Sequence, residues 1–244
     1  MQISTLNLTT DGRVSLTAYI QQPSPEMPNR AVRPAVIILP GGAYAFLSDR
    51  EAEPVALAYL AAGFQAFVLR YTIGGEYAFQ AALEDVSGAV ELVREHAAEW
   101  HLDPDKIAVC GFSAGGHLAA ASGTLAAHRP NALILGYPCI LESMSRILAF
   151  PVPSLDQAVT PETPPAFLFH TRNDSSVPVE NSLRFADALD KAGVPFELHI
   201  FAEGPHGLSL ASSLTSSGRE EMVCPDVAAW LPMSVGWLNR LFHL

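Results

Sequence analysis

Ser113, Asp174 and His206 are side chains of the types that nucleophilic hydrolysis needs. A serine hydroxyl is a weak nucleophile near neutral pH. It requires a base within hydrogen-bond reach, and the base requires a partner that fixes its tautomer. Ser113 lies in Gly111-Phe112-Ser113-Ala114-Gly115, between an apolar run at 106–110 and a run of small residues from 114 to 127. A strand entering Gly-x-Ser-x-Gly and leaving as a helix is the setting of a nucleophile elbow. There the serine sits on a strained turn and its oxygen stands above the sheet. Asp174 follows an apolar run and precedes Ser175-Ser176-Val177-Pro178, while His206 lies between Pro205 and Gly207. Asp174 is also compatible with a plain turn former, and Glu180 and Asp156 are alternative acids. A tetrahedral intermediate would need donors as well. The N–H of Ala114 is one, and the N–H groups of Gly42 and Ala43, in Pro40-Gly41-Gly42-Ala43-Tyr44, are the others. That glycine turn can equally be an ordinary tight turn. His117, one helical turn past Ser113, either lines the pocket or packs. Tyr44, Phe46, Phe112, Ile140 and Leu141 are candidate pocket walls or core.

These groups must be carried by elements that end close together. Residues 3–8 and 14–21 read as strands around the turn signal Thr10-Asp11-Gly12. A continuous apolar run at 35–39 suits a strand buried on both faces, and further strands are expected at 65–71, 106–110, 132–137, 166–170 and 196–201. Helices are expected at 51–62, 77–100, 114–127, 179–192 and 227–242, the last irregular near Pro232. Asp103-Pro104-Asp105 reads as a turn before the Ser113 strand. Strand and helix alternate from residue 35 onward, which predicts an α/β fold. Its central sheet should be mostly parallel, with helices on both faces and an N-terminal antiparallel hairpin. One domain spanning 1–244 is expected, with the Pro-rich stretch 138–165 as an excursion over the active-site end. In such sheets ligands bind beyond the carboxyl ends of the strands. The loops of Gly42, Ser113, Asp174 and His206 all follow strands.

The composition narrows the partners. The chain has 244 residues, 25 acidic and 14 basic, for a formal net charge of -11. That balance points away from nucleic acid and anionic membranes. Cys110, Cys139 and Cys224 are widely spaced and odd in number, which indicates neither a disulfide framework nor a metal site. No leader pattern or membrane-length apolar run is present, so a cytoplasmic protein without cofactor or metal is expected. Its partner should be a small-molecule substrate, with homodimerisation left open.

Pro-Gly-Gly-x-Tyr at 40–44, Gly-Phe-Ser-Ala-Gly-Gly-His at 111–117, Asn-Asp-x-x-Val-Pro-Val at 173–179 and Pro-His-Gly at 205–207 resemble the α/β-hydrolase esterases. Within that superfamily they are most similar to the acetyl xylan esterase-like and carboxylesterase-like branch, related to the hormone-sensitive-lipase type. The order serine, acid, histidine agrees. The resemblance implies Ser113 as nucleophile, His206 as base, Asp174 as its partner, and Gly42, Ala43 and Ala114 as oxyanion donors. The implied activity is serine-dependent cleavage of carboxylic esters, short-acyl or carbohydrate-linked. Pro40 departs from the family pattern, where many relatives carry His before the glycines, and Ala43 stands where some carry a third Gly. The short excursion at 138–165 in place of a helical lid argues against an interfacially activated lipase. A peptidase or amidase on the same scaffold and a non-catalytic ligand-binding protein are the alternatives.

Overall fold

In a computed structural model, residues 1–75 and 78–244 are described. Strand β3 (Arg33–Leu39) is buried along its whole length. Its side chains alternate, with Ala35, Ile37 and Leu39 in the core on one face and Val36 and Ile38 in the core on the other. That two-sided burial is why the run is apolar without a polar alternate. Strands β4 (Gln65–Arg70), β5 (Leu102–Phe112), β6 (Ala132–Gly136), β7 (Ala166–Thr171) and β8 (Phe196–Phe201) pair in parallel with it or with one another. The hairpin of β1 (Gln2–Asn7) and β2 (Ser15–Ile20) joins antiparallel at β4, so the order is β1-β2-β4-β3-β5-β6-β7-β8. The mostly parallel sheet with an N-terminal hairpin is as the sequence predicts.

Helices cover both faces. α2 (Ala78–Glu95), α3 (Ala114–Thr124) and α4 (Glu180–Ala192) share one core layer. α1 (Glu53–Ala61), α5 (Pro225–Ala228) and α6 (Trp230–Leu241) share the other. On α2 the side chains of Val86, Val90 and Val93 are buried at helical spacing. Its expected start at Tyr77 lies outside the described residues. Its end comes earlier than residue 100, because Ala97 N–H turns to the Arg94 carbonyl and the helix tightens and stops. α3 ends before residue 127. The hydroxyls of Ser122 and Thr124 bond the carbonyls of Ala119 and Ala120 near its end.

Two further expectations are corrected. The Asp103-Pro104-Asp105 turn is a bulge inside a longer β5. Arg33 faces Leu102 while Ala35 faces Ile107, so the intervening residues loop out of register. The closing helix breaks at Ala229 and not at Pro232. Pro232 sits in the first turn of α6, where a missing N–H loses no intrahelical bond. Among the described residues, no helix is long and apolar enough to cross a membrane.

Candidate active site

The elbow follows from close packing. A Cβ on Gly111 would stand 2.0 Å from the Gly115 carbonyl oxygen, and one on Gly115 would stand 2.2 Å from that of Leu39. The two glycines therefore let α3 start directly against β5 and β3. Ser113, between them, is held at φ 54° and ψ −116°, a conformation that side-chain-bearing residues adopt only under constraint. The constraint is visible: Ser113 N–H bonds the Gly136 carbonyl at 3.0 Å, and the Ser113 carbonyl accepts from His117 and Cys139 N–H.

The structure brings Ser113, His206 and Asp174 together from three separate loops. Ser113 Oγ lies 2.9 Å from His206 Nε2, and His206 Nδ1 lies 2.6 Å from Asp174 Oδ2. A carboxylate only accepts, so Nδ1 carries the proton and Nε2 is free to accept from the serine hydroxyl. The second Asp174 oxygen accepts from the N–H groups of Ser176 and Val177, each at 2.9 Å. Burial works against charge on Asp174. Hydrogen bonds from His170, His206 and the Val177 N–H outweigh it and hold the carboxyl well below the usual range. Glu180 and Asp156 are elsewhere: Asp156 bonds Ser154 and pairs with Arg184.

The glycine turn faces this group. Gly42 has φ +134°, and a Cβ there would lie 2.0 Å from the Phe46 carbonyl oxygen. Ala43 and Tyr44 follow at φ 54° and 58°. Gly42 O takes the N–H groups of Ala45 and Phe46, closing the turn. Among the described residues, Gly42 and Ala43 N–H make no bond with protein, which leaves them available to an acceptor in the cleft. Gly42, Ala43, Ser113 and His206 all line one open cleft of about 830 Å³.

The pocket walls differ from the sequence expectation. Phe46 lines the cleft and is largely exposed. Tyr44, Phe112 and Ile140 are fully buried and do not line it. Phe112 points to the far face of the sheet, among Tyr137, Phe169 and Trp230. Tyr44 is pulled inward by its hydroxyl, 3.0 Å from His117 Nδ1. Ile140 belongs to the core layer with Met144 and Leu155. Instead, the excursion contributes Arg146, Ile147 and Leu148, and the Asp174 loop contributes Ser175 and Ser176. The excursion is anchored by Asn181, whose Oδ1 accepts from Ile140 and Leu141 N–H, and by Ala149 N–H on the Ala43 carbonyl.

His117 packs and does not line the cleft. Its Nε2 lies 3.2 Å from the Pro153 carbonyl, which can only accept, so Nδ1 accepts from Tyr44. Burial pushes this imidazole down to about 4, against the opposing effect of the Pro153 bond. Cys139 sits beside the elbow, and burial pushes its thiol up to about 12, which keeps it a thiol. Three residues near the site escaped the sequence reading. His170 Nε2 bonds the Val177 carbonyl at 2.9 Å and lies 3.5 Å from Asp174 Oδ2. Tyr137 packs edge-on against the His206 ring, and Glu51 is a buried carboxylate at the cleft floor. The usable signal for Tyr137 was its place at the end of the apolar run beside the Ser113 strand. Among the described residues, no three His, Cys, Asp or Glu side chains cluster as for a metal ion.

Comparison with known proteins agrees with this fold. The family described as BD-FAE matches residues 23–134, and the prolyl oligopeptidase family matches residues 149–222. A solved structure of an alpha/beta hydrolase enzyme from a Medee basin deep-sea metagenome library superposes with a TM-score of 0.94. It is 44% identical, over 100% of this chain and 99% of that one. Endo-1,4-beta-xylanase B of Butyrivibrio fibrisolvens is 35% identical over 76% of this chain, and this chain spans 34% of that protein. Acetylxylan esterase of Xylanibacter ruminicola is 29% identical over 93% of this chain, which spans half of its length.

Proposed function

The chain belongs to the α/β-hydrolase family, and on that premise we propose that it is a serine esterase acting on short-acyl or acetylated carbohydrate esters. The observation that carries this reading is the unbroken hydrogen-bond line from Ser113 Oγ through His206 to Asp174. Ser113 Oγ attacks the ester carbonyl carbon while His206 Nε2 takes its proton. The carbonyl oxygen becomes an oxyanion and accepts from the N–H groups of Gly42, Ala43 and Ala114. Each such donor is worth on the order of 3 kcal/mol of barrier lowering. The intermediate collapses, His206 returns the proton to the departing alcohol, and the acyl group stays on Ser113. Water then repeats the attack with His206 again as base, releasing the acid and the free serine. Asp174 stays ionised and holds the imidazole in the working tautomer.

The lining of the cleft supports a polar alcohol. Gly42 and Ala43 lie in it with Ser113, and the walls mix Phe46 and Leu148 with Ser48, Ser175 and Ser176. Deacetylation of xylan is the activity named for one relative, and a sugar hydroxyl suits such walls. The free, unpaired cysteines support a reducing, cytoplasmic setting. Ser113→Ala should abolish p-nitrophenyl acetate hydrolysis with an unchanged circular dichroism spectrum. Undiminished turnover in that variant refutes the reading. Acetylated xylo-oligosaccharides, longer acyl esters and a prolyl peptide anilide, assayed in parallel, separate the esterase from a peptidase of the type that the match at 149–222 suggests.

A further inference from the structure

Glu51 is a buried carboxylate that the proposed reaction does not use. It ends the short 3-10 turn Asp49–Glu51 and is 3% exposed. Its Oε2 accepts from Gly41 N–H at 2.8 Å, directly before Gly42 and Ala43. Its Oε1 accepts from the Tyr137 hydroxyl at 2.7 Å. The Tyr137 oxygen in turn accepts from Ser209 N–H at 2.9 Å, in the loop that carries His206. The Tyr137 ring meets the His206 ring edge-on, with centroids 5.1 Å apart. Arg50 reinforces the same loop: its Nη1 donates to the Gly207 carbonyl at 2.8 Å, and its own carbonyl accepts from the Ser209 hydroxyl. Gly41 is wedged between this carboxylate and the nucleophile. A Cβ on it would stand 2.7 Å from Glu51 Oε2 and 3.0 Å from Ser113 Cβ.

The direction of the bonds requires an acid. Ser209 N–H points at Tyr137, so the Tyr137 proton must go to residue 51, and Gly41 N–H points there too. Both donors need an acceptor, and a carboxylate supplies one oxygen to each. An amide would set its NH2 against one of the two. A negative charge this near a developing oxyanion opposes it, so the contribution of Glu51 to rate must be geometric.

We infer that Glu51 is a positioning residue that holds the oxyanion turn and the His206 loop in one frame, through Gly41 on one side and Tyr137 and Ser209 on the other. The inference rests on the serine-esterase reading of this site. The test compares wild type, Glu51→Gln and Tyr137→Phe in p-nitrophenyl acetate kinetics, with active sites counted by a fluorophosphonate. Amide hydrogen exchange over 40–44 and 205–210 is measured on the same samples. Glu51→Gln should lower kcat per titrated site about 100-fold with KM held within about threefold. Exchange should accelerate in both segments together. Tyr137→Phe should lower kcat about tenfold and accelerate exchange in 205–210 alone. Wild-type kcat per titrated site with unchanged exchange in Glu51→Gln overturns the inference. So does acceleration in Glu51→Gln confined to one segment. A wild-type protein that turns over no ester would instead remove the esterase reading, and the exchange pattern would still decide the coupling.

Discussion

Acidifying the protein from pH 6.5 to pH 4 should charge His117 in the unfolded chain but not in the native one. The side chain is fully buried, between the Tyr44 hydroxyl and the Pro153 carbonyl, with Phe79 against its ring. A proton on Nδ1 would face the Tyr44 hydroxyl, whose own hydrogen would then lose its acceptor. Because the folded value is depressed, the unfolded state binds the extra proton first. Stability from this residue is complete above about pH 6.5, falls as pH drops toward about 4, and changes no further below that. A displacement of that size corresponds to about 3 kcal/mol. His117→Asn removes the titration and keeps an acceptor near Nδ1. Urea unfolding of both proteins at intervals from pH 7 to pH 4 is the assay. At neutral pH wild type should be the more stable, by about 1–2 kcal/mol for the lost Pro153 bond. The difference should shrink and reverse by pH 4, while carboxylate titrations common to both proteins cancel. A difference that does not vary with pH across this window refutes the burial argument.

Other parts of the molecule carry their own tests. Asp174→Asn should cut kcat by roughly 10⁴ with little change in KM, because an amide opposite Nδ1 permits the wrong tautomer. The same change should remove stability that wild type holds above pH 4 and loses on further acidification, since the native Asp174 carboxyl is held low. Gly42→Ala puts a Cβ where the Phe46 carbonyl stands, so the turn must move. Ester kinetics should show kcat lower by about 10²–10³, with a lowered melting temperature, because the new Cβ meets backbone at a positive φ. Gln65, buried at the start of β4, bonds Gln21 N–H at 2.8 Å, the Gln21 carbonyl at 3.0 Å and the Trp100 carbonyl at 2.8 Å. Gln65→Leu should cost about 3 kcal/mol and lower Tm by roughly 10 °C, measured by calorimetry. It should leave kcat at 25 °C intact, because Gln65 lies at the opposite end of the strands from Ser113.

Chemistry that depends on close packing leaves a trace in sequence, and chemistry that depends on side-chain direction does not. The glycines flanking Ser113 are required by contacts near 2 Å, so the elbow was legible as a pattern. The central strand β3 was legible because two-sided burial demands an uninterrupted apolar run. Phe112 could not be assigned that way. Its direction depends on which face of β5 it occupies, and the elbow turn resets the alternation at Ser113. Tyr44 stayed open between pocket wall and core because its inward turn is decided by a hydroxyl partner 73 positions away. Glu51 and Tyr137 sit 86 positions apart, and neither lies in a spaced motif. Their meeting is a property of the strand order.

That order also explains why the site needs the residue that follows β6, Tyr137. Adjacent strands are about 4.8 Å apart, and β8 stands three strands from β5. A histidine leaving β8 must therefore travel back across the ends of β7 and β6, roughly 14 Å, before it reaches Ser113. The loop does not cross that distance unsupported. At β7, Thr171 Oγ1 donates to the Gly204 carbonyl at 2.8 Å, and Asn173 accepts from Gly204 N–H at 2.9 Å. Over β6, the Tyr137 ring lies beneath His206 and its hydroxyl holds Ser209. At the far side Arg50 takes the Gly207 carbonyl. Each strand end between the serine and the histidine thus ties down the loop. Removing the middle tie should loosen the histidine without moving Asp174, whose own bonds run to His170, Ser176 and Val177. Loss of rate with an undisturbed acid is therefore the signature that separates a histidine loop held from below from one held only by its carboxylate.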